Sequence, residues 1–189
     1  TTPTLTIGDA GAEDTKIVFD GNAQDWHVGL DDSADDFTIG LGSTLGTTSH
    51  VVIDETGAMT RPLQPCFCAK VGTAVTDFSN DQHETVPYSS ELFDLNSDFN
   101  NGTYTFTAPV TGKYHFDLSV EHANLDNATA YCQITLQMSN NDFYQTFRPS
   151  LHISADAQID FNFSVVTDMD ASDTAYVTTF MSGTAHDLT

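Results

Sequence analysis

The sequence predicts an all-β protein. Apolar and polar residues alternate with period two along most of the chain, and no window of about 11 residues holds the i, i+3, i+4, i+7 apolar pattern of an amphipathic helix. Clusters of Gly, Asn and Asp interrupt the alternating runs at the spacing expected of short strands. With 189 residues, 39% apolar and 11% aromatic, the chain can bury a real core, and it is too aromatic for a disordered acidic tail.

The first third carries a repeat. Asp25-Trp26-His27-Val28-Gly29-Leu30 is echoed eleven residues later by Asp36-Phe37-Thr38-Ile39-Gly40-Leu41, and Thr15-Lys16-Ile17-Val18-Phe19-Asp20 is a looser relative. Each unit reads as one short strand closed by a tight Gly turn. A lone strand of that length cannot bury its apolar face, whereas stacked units, or the same unit from several chains around an axis, can. Two prolines in Arg61-Pro62-Leu63-Gln64-Pro65 mark an extended linker. The boundary is therefore placed between an N-terminal β-repeat segment, 1–63, and a larger domain, 64–189.

In the larger domain, Tyr104–Thr107, Tyr114–Val120, Cys132–Met138 and Ile159–Val165 alternate cleanly. Such runs are half-buried antiparallel strands with one face to the core. Turn clusters separate them at Asn100-Asn101-Gly102, Pro109-Val110-Thr111-Gly112, Asn124-Leu125-Asp126-Asn127, Ser139-Asn140-Asn141-Asp142 and Asp168–Asp173. This rhythm means a sandwich or jelly roll. Tyr104/Phe106 and Tyr114/Phe116 each place two aromatics on one strand face, where they fill the space between two sheets.

The charge balance excludes several functions. There are 27 Asp+Glu against 5 Lys+Arg, a formal net charge of −22. Residues 1–63 hold 11 acids and 2 bases, and residues 64–189 hold 16 acids and 3 bases, so the excess is spread evenly. Nucleic-acid binding needs clustered Lys/Arg to neutralise phosphates and is excluded; anionic membranes are disfavoured for the same reason. An acidic, self-repelling surface suits a saline medium, where screening shortens the repulsion to about 10 Å or less. No apolar run approaches the ~20 residues of a membrane-spanning helix. Thr1-Thr2-Pro3-Thr4 shows no basic or apolar leader, so no secretory signal is expected. The sequons at Asn101, Asn127 and Asn162 are then expected to be turns and strand ends.

Cys66-Phe67-Cys68 and Cys132 are an odd set of three, which excludes a closed intrachain disulfide framework. No fourth ligand at zinc spacing accompanies them. They read as small apolar core residues, with an intersubunit disulfide as the alternative.

Residues 66–189 resemble the C1q/tumour-necrosis-factor superfamily. The block Phe93-Asp94, Asn96, Phe99, then Gly102-Thr103-Tyr104-Thr105-Phe106 and Gly112-Lys113-Tyr114-His115-Phe116 carries the likeness. Phe67–Val71 is similar to the family's opening strand, Asp173–Val177 to its G-D-x-V-x-V strand and Phe180-Met181-Ser182-Gly183 to its closing strand, although Ala171-Ser172-Asp173 lacks the Gly before Asp. The resemblance implies a ten-stranded jelly roll that forms a homotrimer, with Phe67, Tyr104, Phe106, Tyr114, Phe116, Tyr176 and Phe180 as trimer-axis and core aromatics. It also implies calcium near the apex in some members, for which Asp168, Asp170 and Asp173 are the candidate ligands. Lys16–Asp32 with Phe37–Gly42 resembles a segment of marine bacteriophage tail-fibre and other virion fibre proteins.

Other chemistry is weaker. Asp31-Asp32-Ser33-Ala34-Asp35-Asp36 reads as a solvated turn ahead of a calcium cluster. Asp94-Leu95-Asn96-Ser97-Asp98 opens like a calcium-binding loop, but Phe99 replaces the required Gly and Thr105 the required Glu, so a structural turn is expected. There is no H-E-x-x-H and no G-x-S-x-G. The expectation is a non-enzymatic homotrimeric bacteriophage virion protein. Residues 1–63 attach to other virion proteins, and a C1q-like knob at the virion surface binds a host glycan. The rivals are a capsid decoration protein with no receptor role, a secreted bacterial adhesion module and a fibre-borne depolymerase.

Overall fold

The computed structural model describes residues 2–79, 81–125, 127–152, 157–183 and 186–188. The chain divides into two compact units, Thr1–Gln64 and Pro65–Thr189. Among the described residues there is no α-helix, and one 3-10 turn, Pro149–Leu151, is the only helical element.

The first unit is one antiparallel sheet of β1 (Thr15–Phe19), β2 (Trp26–Asp31), β3 (Asp36–Leu41), β4 (Ser49–Ile53) and β5 (Met59–Thr60), in that spatial order. The repeat forms β2 and β3, which pair with Val28 opposite Ile39 at the centre, Trp26 opposite Leu41 and Leu30 opposite Phe37. Its glycines correct the expectation of a turn after each strand. Gly29 and Gly40 lie buried inside β2 and β3. Their role is close approach: a Cβ on Gly29 would fall 2.3 Å from the Thr15 carbonyl oxygen, and one on Gly40 would fall 2.5 Å from that of Thr48.

Burial on this sheet inverts the usual rule. The apolar face is exposed, with Phe19 at 60% and Trp26 at 41%, while the other face buries His27 at 1% and Thr38 at 2%. The segment 42–48 folds over that polar face. Leu45 is buried, His27 Nδ1–H donates to the Gly42 carbonyl at 2.9 Å, and Gly46 lies so close that a Cβ would meet Asp31 Oδ2 at 2.5 Å. The 31–36 segment is a turn, with Asp31 Oδ1 accepting from the Ser33 amide and hydroxyl.

The second unit contains β6 (Phe67–Lys70), β7 (Val75–Phe78), β8 (His83–Thr85), β9 (Ser90–Asp94), β10 (Phe99–Asn100), β11 (Thr105–Thr107), β12 (Gly112–Leu125), β13 (Cys132–Met138), β14 (Phe143–Phe147), β15 (Ala157–Met169), β16 (Thr174–Met181) and β17 (His186–Leu188). Twelve strands are described where ten were expected, because the turn-rich opening third of the unit breaks into short pieces. One sheet runs β10-β11-β16-β13-β14 with β8 on β16, a second runs β15-β12-β17-β7, and β6 pairs β9 separately. The two large sheets enclose a core that includes Phe106, Ile134, Leu136 and Met181 from one and Phe116, Val120, Leu125 and Phe161 from the other. Period-two alternation is the cause, since each strand sends every second side chain inward.

Two boundaries differ from the sequence reading. Asn124-Leu125 belongs to β12, not to a turn: Asn124 takes φ 58° and the register with β15 shifts between His122 and Leu125, so the strand bends and continues. Asp173–Val177 and Phe180–Gly183 are not two strands. β16 runs unbroken to Met181 and Gly183 turns the chain at φ 105°.

Candidate functional site: a cleft beside an unpaired strand edge

β12 is paired with β15 along one side, from Gly112 opposite Met169 to His122 opposite Ile159. On its other side, among the described residues, β17 meets it only at His122 and Ala123. Among the described residues, the Lys113–Glu121 edge therefore has no strand neighbour there. β6 contributes to the opposite wall, and the space between is a cavity of about 600 Å³. Its buried lining is apolar: Phe99, Phe116, Val120, Leu136 and Val177. Phe67, Ala69 and Val71 line one wall, with Tyr88, Tyr104 and Tyr176 half-buried around it.

The rim is polar. Alternation along β12 turns His115, Asp117 and Ser119 to solvent, and Lys70, Cys68 and Glu121 also line the cavity. His115 Nε2 lies 2.7 Å from Ser164 Oγ and 3.5 Å from Asp117 Oδ1. The Tyr88 hydroxyl donates to the Ser119 carbonyl at 3.2 Å, and burial pushes its phenol above the ordinary range, so it stays a donor at neutral pH. Apolar ring faces beside an unpaired backbone edge suit a ligand with both a hydrophobic face and hydroxyls.

The structure brings together five aromatics that include four of the predicted seven. Phe67 stacks on Phe99 at 4.7 Å and on Phe106 at 5.2 Å, and Phe106 meets Tyr114 at 5.5 Å and Phe116 at 5.7 Å. Tyr104, at φ 60°, and Tyr176 line the cleft. Phe180 lies apart, stacked on Tyr131 at 5.2 Å and tilted against His83. The Asp94–Asp98 segment is a backbone brace: Asp94 accepts from the Asp98 and Phe99 amides at 3.1 and 2.8 Å. Burial raises the Asp98 carboxyl, aided by the charge of Asp94 and opposed by the Asn96 amide.

Asp168, Asp170 and Asp173 do not converge on one point. Asp168 pairs with Lys113. Asp173 accepts from the Ser139 hydroxyl at 2.7 Å, the Asp170 amide at 2.8 Å and the Asn140 amide at 3.2 Å, which leaves it a loop brace. The Ser139 hydroxyl leads in holding its carboxyl below the ordinary range. Among the described residues, no group of three or more His, Cys, Asp or Glu is placed to hold a metal ion.

The cysteines divide. Cys132 is buried, as the core reading requires, and burial pushes its thiol up to about 12. Cys66 and Cys68 are exposed, which corrects that reading for both. They share the outward face of β6 and its lead-in, while Phe67 and Ala69 turn toward the core. Asn162 stands within β15 on its exposed face, not at a strand end.

Sequence reasoning singled out neither Tyr88, Lys70 nor Glu121. A cleft made by a strand edge without a neighbour leaves no periodic signal.

The second unit has the C1q-like jelly-roll fold. It is similar in structure to the globular domain of the zebrafish complement 1qA protein, with a TM-score of 0.50 and 16% identity over 66% of this chain and 93% of that one. At that identity the likeness establishes the fold. No protein-family model matches the sequence, and no curated protein does.

Proposed function

We propose that this chain is a non-enzymatic, homotrimeric structural and binding protein, whose C1q-like unit is a recognition head. The observation that carries the reading is the jelly-roll match over 66% of the chain. Trimeric assembly is common among domains of that fold. The finer reading is a bacteriophage virion protein whose first unit joins other virion proteins and whose head faces outward at the particle surface. It rests on the resemblance of Lys16–Asp32 with Phe37–Gly42 to virion fibre segments and on the strongly acidic composition.

The head's ligand in this reading is a host-surface glycan bound at the β12 cleft. Tyr88 and Tyr104 in the lining offer aromatic faces to sugar C–H groups, and the Lys113–Glu121 backbone edge of β12 offers amides and carbonyls to hydroxyls. Weak single sites are multiplied by three heads per trimer.

Light scattering tests the assembly. Three chains of 20.5 kDa give about 61.5 kDa. A stable monomer overturns the homotrimer. Binding of the fluorescently labelled chain to host cells tests the role. Tyr88→Ala is expected to abolish that binding at unchanged mass. Binding to isolated capsids through residues 1–63 without cell binding replaces the receptor role with decoration.

A further inference from the structure

The first unit exposes the wrong face for a free-standing sheet. Pairing aligns its apolar side chains in three rows across the strands. Phe19, Trp26 and Leu41 form one, Ile17, Val28, Ile39 and Val51 the next, and Leu30, Phe37, Ile53 and Met59 the third. The middle row is entirely β-branched, which makes a stiff, level strip between two bulkier rows. No charged side chain stands in these rows. The opposite face is already covered by segment 42–48.

The area is that of an interface. Ile17, Phe19, Trp26, Leu30, Phe37 and Ile39 are each 39–60% exposed. At on the order of 100 Å² of exposed surface each, they offer on the order of 600 Å², approaching the ~800 Å² per partner of a stable complex and at the upper end of what a monomer ordinarily leaves contiguous. A face with no Lys, Arg or carboxylate in its rows, and only the His50 ring tilted against Trp26 at 4.9 Å, gives a basic or acidic partner little to pair with, so its complement is another level, uncharged sheet face. The outward side of the β12–β15 sheet carries His115, Asp117, Asp160, Asn162 and Asp168 and cannot serve. The first unit of another copy presents the required surface.

We propose that the apolar face of the β1–β5 sheet is a self-association surface, buried against the same face of other copies of this chain. Three such faces turned toward a common axis close a dry core that no copy holds alone. The inference rests on the homotrimer reading, because assembly through the head raises the local concentration of the first units and lets a modest interface close. Each first unit carries 11 acids against 2 bases, so closure strengthens with added salt, opposite to the behaviour of a charge-paired interface.

Trp26 is the chain's single tryptophan and stands on this face, so it reports closure directly. The experiment measures acrylamide quenching of Trp26 together with native mass, across protein concentration and at low and high salt, on the intact chain and on Ile39→Asp. Ile39 is 39% exposed, so the aspartate meets solvent in an open unit. If circular dichroism shows that variant unfolded, Ile17→Asp, on the same row, replaces it. Closure predicts a quenching constant several-fold lower in the intact oligomer than in the variant, falling further with salt. A trimer whose Trp26 is as quenchable as the variant's overturns the inference and leaves the homotrimer standing. A monomer with shielded Trp26 overturns it in favour of cover from the chain itself. Shielding that weakens with salt overturns it in favour of a charged occupant. A monomer with exposed Trp26 at every concentration overturns both.

Discussion

Gly40 sits directly opposite His27 in the β2–β3 pair, and a Cβ on Gly40 would fall 2.6 Å from His27 Nε2. The buried imidazole occupies the space that a side chain on β3 would need. Gly40→Ala is therefore expected to destabilise the first unit by about 1–3 kcal/mol, through overpacking against the imidazole and the Thr48 backbone. Gly42→Ala, where nothing lies within 4 Å, tests only the cost of positive φ at 84°. Thermal unfolding of the two variants checks the contrast, and equal losses would remove the steric account.

Thiol titration separates the cysteines. In the native protein, two of three thiols are expected to react with an aromatic disulfide reagent at pH 8, and the third only after denaturation. Cys66 and Cys68 are exposed, whereas Cys132 is buried and its thiol is pushed up to about 12, so thiolate is scarce there. Rapid reaction of all three in the folded state would contradict the placement of Cys132.

Asp173 ties the 168–173 loop to Ser139 and Asn140. Its pKa lies below the ordinary 3.8, chiefly because the Ser139 hydroxyl donates to the ionised form. A carboxyl whose pKa falls on folding stabilises the fold fully above its unfolded value and loses that contribution as pH drops through the folded one. Wild type is thus expected to exceed Asp173→Asn in stability at pH 6, with the gap closing below pH 3.8. Melting temperatures at several pH values test this, and a gap independent of pH would assign the effect to shape.

Ile134 is fully buried at the centre of β13, between β14 and β16. Ile134→Ala is expected to cost about 2–5 kcal/mol, from lost transfer energy and the cavity left behind. Val166→Ala, on the exposed face of β15, is expected to stay within about 0.5 kcal/mol. Urea unfolding monitored by far-UV circular dichroism distinguishes them.

Much of the fold was legible because strand formation is written in neighbouring residues. Cys132–Met138 is read from alternation to its last residue, and the Tyr104–Phe116 block marks where aromatics enter the core. Errors arose where burial depends on a distant segment. Cys66 and Cys68 have the composition of core residues, but β6 turns Phe67 and Ala69 inward instead. The aspartates at 168–173 are close in sequence, yet Lys113, Ser139 and Asn140 hold them separately.

By itself the sequence determined an all-β chain, its strand rhythm, its acidic surface and the aromatic signature of a C1q-like jelly roll. Alternation assigns residues to two faces, because successive side chains point opposite ways. It does not say which face is buried, since that depends on what the rest of the chain brings against it. Only the tertiary structure decided that segment 42–48 lies against His27 and Asp31 and that Trp26 and Phe37 stay outward. It also decided that, among the described residues, β17 meets β12 at two residues alone, which opens the cleft. Both are consequences of contacts between residues far apart in sequence, and local patterning carries no record of them.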